Sequence, residues 1–339
     1  AQLGRDGHLD TKQKNGLASN PIIRKFGTQQ VIILGVIIVL FAFFCMASDS
    51  FRRYTTVVTL CNYMYYILLM AIGVTFPLIT GGVDLSIGTG LICYSIVGSY
   101  VISHKNFPVV AGMLVTLLLS LIIGLINGMI IARLELPPFI VTLCTMMIAR
   151  GMGSILTGGM SGVWPMAGNK GGWCRNIFKI TVGGKILPIG MIWMFVLIAL
   201  MSIILRHTRA GRYILAIGSN KEALRLSGVN VIQWHVIAYL ISGLFSGLAA
   251  IAYACTFSNI TPGTGAGLEL DAIGGAIIGG PSSSGGSGSI FGTFLGVLVI
   301  SLLKTGLPYI GLQANWQQII TGLILLGAVT IDMMKRRKA

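Results

Sequence analysis

Apolar residues in this chain come in long runs with little polar interruption, not in stripes at helical spacing. A bilayer-spanning helix needs about 20 mainly apolar residues, and a helix that is apolar all round sits in lipid or in a core. Runs of that kind occupy residues 31–47, 62–80, 87–103, 109–132, 139–157, 186–205, 234–255, 290–303 and 317–333. One more apolar segment, 268–280, is short and broken by glycine. Two polar connections stand out. The first, 158–185, is Gly-rich and holds Trp164, Lys170, Trp173, Arg175 and Lys179; the second, 206–233, carries Arg206, Arg209, Arg212, Lys221 and Arg225. Residues 1–30 read as a polar tail, not a cleaved signal, and 334–339 as a basic end.

Orientation follows from the basic residues. If segment 268–280 crosses, there are ten crossings, and both ends of the chain and the 206–233 connection fall on one side. That side then carries most of the lysine and arginine, as expected for a cytoplasmic face. Ten spans divide into five and five, and an odd number per half inverts the second half. Each half has an acid among glycines at the corresponding place: Gly81-Gly82-Val83-Asp84-Leu85-Ser86-Ile87-Gly88, and Gly267-Leu268-Glu269-Leu270-Asp271-Ala272-Ile273-Gly274-Gly275. Interrupted segments at matching positions of inverted halves point to a substrate path. The expected fold is therefore an all-α polytopic membrane protein with about ten transmembrane segments in two inverted five-span halves, with Gly-broken helices. Its parts are a cytoplasmic tail (1–30), a transmembrane domain (31–333) containing a cytoplasmic connection (206–233), and a cytoplasmic basic C-terminus (334–339).

Composition agrees. The 339 residues are 54% hydrophobic and only 10% charged, against about 25% charged in ordinary soluble chains. A net charge of +15 would suggest nucleic acid in a soluble protein. Here the basic residues lie between apolar runs, so a bilayer is the expected partner and nucleic acid is not. Of the six cysteines, five lie in or beside apolar segments and none forms a C-x-x-C pair. They are expected to be small buried hydrophobes, not a metal site or a disulfide framework. Among the 46 glycines, the pairs Gly124/Gly128, Gly243/Gly247, Gly275/Gly279 and Gly292/Gly296 are spaced to let helix backbones approach closely.

The 206–233 connection contains a short-helix signature. Ser219 is placed to cap, Glu222 to reach back and complete a capping box, and Gly228 to stop the helix. About two turns are too few to stand alone, so the segment either lies on its own protein or docks into a partner. Near the apolar segments the acids are Asp84, Glu269 and Asp271. Asp84 and Asp271 stand where each can cap the helix beside it or touch a solute. No phosphate-binding loop, His-Glu-x-x-His or Gly-x-Ser-x-Gly elbow is present. The expectation is no catalysis, no metal and no cofactor bound by this chain, so active transport would draw energy from a partner.

The motif Gly81–Gly88 resembles the Gly-Gly-Ile-Asp-Leu-Ser-Val-Gly signature of ribose-type permeases from bacterial ABC sugar importers. Three further stretches are similar, in family order. They are Pro138-Phe139-Ile140-Val141-Thr142-Leu143 with Ala149-Arg150-Gly151; Thr208-Arg209-Ala210-Gly211-Arg212-Tyr213 through Ser219-Asn220 to Leu226-Ser227-Gly228-Val229-Asn230-Val231; and Glu269-Leu270-Asp271-Ala272-Ile273 with Gly279-Gly280. The family's Ser-Leu-Ala-Gly-Gly-Lys-Gly run is replaced here by Pro281-Ser282-Ser283-Ser284-Gly285-Gly286-Ser287-Gly288, which lacks the lysine. The resemblance implies a permease subunit of the bacterial inner membrane, both termini cytoplasmic, moving a ribose- or galactose-like sugar. Its implied partners are cytoplasmic ATPase subunits that bind ATP and Mg, a periplasmic or lipid-anchored sugar-binding protein, and a second permease copy. It turns the central connection into the ATPase-docking segment, with Arg212, Ser219, Asn220, Glu222, Arg225 and Leu226 as its candidate residues. Depth and polarity single out Asp84, Asn127, Phe139, Thr142, Glu269 and Asp271 for the path or its gates. An ion-coupled secondary carrier using Asp84 and Asp271, and a receptor that moves no solute, remain the competing expectations.

Overall fold

The computed structural model describes residues 28–281 and 285–337. The apolar runs form helices, because lipid offers no partner for backbone N–H and C=O groups and a helix satisfies them internally. The first half contains α1 (Thr28–Ala47), α2 (Tyr54–Ile79), α3 (Ser86–Ser103), α4 (Val109–Leu134) and α5 (Pro138–Thr157). The second contains α6 (Gly190–His207), α7 (Arg209–Leu226), α8 (Val231–Thr256), α9 (Leu268–Gly279), α10 (Ile290–Gly306) and α11 (Ala314–Arg337). The polar connection 158–185 holds a feature that hydropathy did not reveal. Strands β1 (Ile180–Val182) and β2 (Lys185–Leu187) pair antiparallel, with Val182 opposite Lys185. The two residues that join them, Gly183 and Gly184, both have positive φ, as a tight hairpin turn requires.

The hairpin marks one end of the bundle and α7 the other. Tyr54 at the start of α2 bonds Ile186 O, and Ile79 at its end bonds Gly286 beside α7. α4 runs from Val109, against Gly171, to Glu135, paired with Lys221 of α7. α8 returns to the hairpin end, where Thr256 O accepts from Lys179 and Ile260 pairs with Gly162. From there the chain must reach Gly286 at the opposite end, so α9 lies on a complete traverse. Its 12 residues cover only about 18 Å at helical rise; the irregular segment before it covers the rest.

Among the described residues, eight helices are long and apolar enough to cross a bilayer: α1 to α6, α8 and α10. Counted with α9 and α11, the passes alternate in direction and divide into two halves of opposite orientation. α2, α3, α8 and α10 are largely buried, while α1, α4, α5 and α6 expose rows such as Leu114, Leu118 and Ile122 on α4. Lipid tails are as apolar as leucine, so close packing of small residues, not burial from water, must hold the helices together. The four glycine pairs do this in twos. Gly124 lies against Gly243, and Gly128 against Val236, where α4 crosses α8. Gly275 and Gly279 meet Gly296 and Gly292 where α9 runs antiparallel to α10.

Several expected boundaries move. α2 begins at Tyr54 rather than 62, since Thr55, Thr56 and Thr59 lower hydropathy without breaking the helix. The 206–233 connection is mostly helix, not loop. α11 continues to Arg337, so the expected basic end from 334 begins inside a helix. Most of the expected tail, residues 1–27, lies outside the described residues.

Candidate functional site

Two helices begin inside the bundle. After Gly81, in the left-handed region at φ 83°, the chain turns back inward as an irregular segment, and α3 starts at Ser86. Asp84 precedes that start and is buried. Its Oδ1 accepts from Ser86 N at 3.0 Å and Ser86 Oγ at 2.6 Å. Its Oδ2 accepts from Ser242 Oγ, in the middle of α8, at 2.7 Å. Asn127 on α4 donates Nδ2–H to Ser86 Oγ at 3.1 Å. Thr142 on α5 donates to Pro138 O at 2.9 Å and lies 3.3 Å from Val83 O. Asp84, Asn127 and Thr142 thus meet at one junction, where Asp84 accepts the first N–H of α3 from one residue upstream of the N-cap, Leu85. Among the described residues no cation pairs with Asp84, and Asn127 Oδ1 and the neighbouring Tyr239 hydroxyl are buried without partners. Phe139 is not part of this cluster; it is 58% exposed in the first turn of α5.

α9 starts the same way from the opposite end. A Cβ on Gly88 would overlap Glu269 N and the Glu269 carboxylate, and one on Gly265 would meet Gly88 O. The starts of α3 and α9 are therefore in contact. Glu269 Oε1 accepts from Gly267 N at 3.0 Å, and its buried Oε2 has no partner among the described residues. Asp271 forms an ion pair with Lys304 of α10, whose ammonium lies 5.9 Å from the Tyr63 ring centre. Sequence reasoning missed Lys304, because hydropathy ended that span at 303. A lysine directly after so long an apolar run was the available signal.

At the far end, α7 is two helices with a break. Asn220, at φ −160° and ψ 95°, leaves helical geometry, and its Oδ1 accepts from Ala223 N at 2.9 Å. The cap is therefore Asn220, not Ser219 as the capping-box spacing suggested. Ser219 still belongs to the first segment and donates to Leu215 O at 3.1 Å. Glu222 does not reach back; it sits 3.8 Å from Arg225. Gly228 does end the segment, at φ 81°. Arg212 donates to His207 O, at the end of α6, at 3.3 Å. One face of the second segment is held down: Leu224 packs with Ile217 and Val231, and Lys221 pairs with Glu135 at 3.0 Å. That ammonium holds the exposed Glu135 carboxyl below its usual pKa. The other face is open, with Leu226 88% exposed.

The break in α7 touches both interrupted traverses. Gly286 N donates to Ile79 O at 2.8 Å, and a Cβ on Gly218 would overlap both atoms. Ile79 leads into the segment that carries Asp84, and Gly286 lies on the connection between α9 and α10. At the hairpin end, Trp164 is fully buried, and its indole N–H donates to Ser95 O at 3.0 Å. Arg175 is buried beside it, donating to Pro165 O at 2.9 Å and Trp164 O at 3.2 Å. Neither was expected inside a polar connection.

The chain is similar to several known proteins. A family model described as branched-chain amino acid transport system / permease component matches residues 56–329. The ribose import permease protein of Escherichia coli (strain K12) is 34% identical over 309 residues, covering 88% of this chain and 92% of that protein. The fructose import permease protein of Bifidobacterium longum is 31% identical over 316 residues, covering 91% and 92%. The galactose/methyl galactoside import permease protein of Salmonella typhimurium is 32% identical over 312 residues, covering 88% and 93%. No solved structure matches the chain.

Proposed function

The chain belongs to the family of branched-chain amino acid transport system permease components, and on that premise we propose that it is the membrane-spanning subunit of an ATP-driven importer for a monosaccharide. Ribose-like and galactose-like sugars are the first candidates, since relatives named for these solutes align over most of the chain. The α7 end is cytoplasmic in this reading, which places both termini inside a bacterial inner membrane. The exposed face of the second α7 segment, with Glu222, Arg225 and Leu226, docks into an ATPase that binds ATP and its magnesium. The hairpin end faces the sugar-binding protein, and a second permease copy completes the pathway.

The observation that carries this reading is the contact chain from α7 inward. A push on Leu226 moves a helix whose break rests on Ile79 and Gly286. From Ile79 the next six residues lead to Leu85 and the start of α3; from Gly286 the chain leads into α10, packed on α9. The two broken helices touch at Gly88 and Glu269. Closely packed glycine crossings transmit small shifts because packed interiors are stiff. Asp84 supports this coupling role: its carboxylate accepts three internal hydrogen bonds, which suits a rigid support better than a site that loads and releases an ion.

The test is uptake of radiolabelled ribose and galactose into vesicles holding this chain with its ATPase and binding protein, wild type beside Leu226→Asp. Wild type is expected to take up one sugar only with ATP. The variant is expected to lose most co-purifying ATPase and at least tenfold of the uptake. Uptake that persists without the ATPase and collapses with the proton gradient would make this a secondary carrier.

A further inference from the structure

Beside the start of α9 lies a cavity of about 450 Å³ between α9, α10 and α11. This is within the range of small-molecule sites. Asp271 and Lys304 form part of its wall, together with Gln317, Gln318 and Thr321 of α11 and Thr264. We propose that this cavity is the permease's own solute site, that the Asp271–Lys304 pair is its anchor, and that the ligand is a neutral polyhydroxylated molecule. The inference rests on the import function proposed above and deepens it.

Three observations carry it. First, a buried ion pair is a costly way to hold two helices together, since apolar groups of similar volume usually do as well. Ionisable groups at membrane depth generally serve a pathway. Secondly, the pair is not sealed: the Lys304 side chain retains 21% of its exposure and Asp271 10%, both next to the cavity. Thirdly, the wall chemistry is complementary to vicinal hydroxyls. A hydroxyl oxygen accepts from the ammonium while its neighbour donates to the carboxylate, and the amides of Gln317 and Gln318 both donate and accept. Leu303 supplies an apolar surface for the face of a ring. Charge selects as well. An anionic solute would take Lys304 from Asp271 and leave a carboxylate unpaired; a cationic solute would do the reverse. A neutral polyol leaves the pair balanced. The site lies one turn into the helix whose start touches α3, so relative movement of the two halves reshapes its wall.

The experiment uses the complete importer in vesicles, reading radiolabelled ribose or galactose moved per ATP hydrolysed. Lys304→Met, Asp271→Asn and the double variant Asp271→Asn/Lys304→Met are compared with wild type, with co-purification of the ATPase as the check on folding. The double variant removes both charges, so it carries the test if either single variant fails to assemble. All assembled variants are expected to move at least tenfold less sugar per ATP, and Gln318→Ala at least threefold less. Wild-type coupling in both the double variant and Gln318→Ala would overturn the site while leaving the import function standing. If the wild-type importer moves neither sugar with ATP, the proposed function fails first, and the site falls with it.

Discussion

α3 and α9 both start inside the bundle after a glycine, but Asp84 precedes α3 while Glu269 and Asp271 lie in the first turn of α9, where neither caps the helix, and the acids are used differently. Asp84 accepts three internal hydrogen bonds from Ser86 and Ser242 and faces no cation among the described residues. Asp271 pairs with Lys304 beside an open cavity, and Glu269 next to it leaves one oxygen without a partner among the described residues. A matched position in an inverted repeat thus does not imply a matched role. What separates them is the surroundings: hydroxyl donors from neighbouring helices close around Asp84, while a cavity and a lysine meet Asp271. The first arrangement makes a rigid support, the second a surface that a polar solute can reach.

The largest expected effect comes from removing the rigid support. Asp84→Leu leaves the first N–H of α3 and buried hydroxyls without their acceptor, costing about 2–5 kcal/mol. We expect little folded protein in detergent extracts, and a well-folded variant would break the comparison. Gly88→Val attacks both starts at once, because its side chain must displace the backbone of Glu269. Overpacking of this kind costs about 1–3 kcal/mol and should lower the thermal midpoint in detergent. Glu269→Gln sharpens the comparison from the other side. Its Oε2 has no hydrogen bond to lose among the described residues, so the stability change should stay within about 1 kcal/mol, in contrast to Asp84.

The smallest effect should come from the surface pair that ties α7 to α4. Lys221→Met removes the partner that lowers the Glu135 pKa. A carboxyl depressed in the folded state contributes stability above its unfolded pKa and loses it as pH falls through the folded one. The small difference in thermal midpoint between wild type and variant should therefore be present at neutral pH, begin to fade near the free glutamate pKa of about 4 and vanish only in more strongly acid solution. A difference that persists in acid would mean that Lys221 acts through packing instead.

The sequence alone determined the passes, their inversion and the two interruptions. Transfer into lipid is a property of each residue, so long apolar runs announce helices without reference to neighbours. The turns at Gly81 and Gly267, with φ of 83° and 92°, are likewise local. Motifs spread along the chain pointed to the family. Partners across the fold were not legible. Ser242 lies 158 residues from Asp84 and Lys304 lies 33 from Asp271, and nothing in a linear pattern says which helices become neighbours. The glycine pairs were visible, but not that they cross in twos. Ser219 and Asn220 are both good caps, and only the packing of α7 on Ile79 and Gly286 decided where the helix breaks. Trp164 and Arg175 lie in a connection that looked polar, and they are buried because the chain folds back over α3 and α8. In each case the deciding energy is a contact between distant segments, which exists only once the helices have packed.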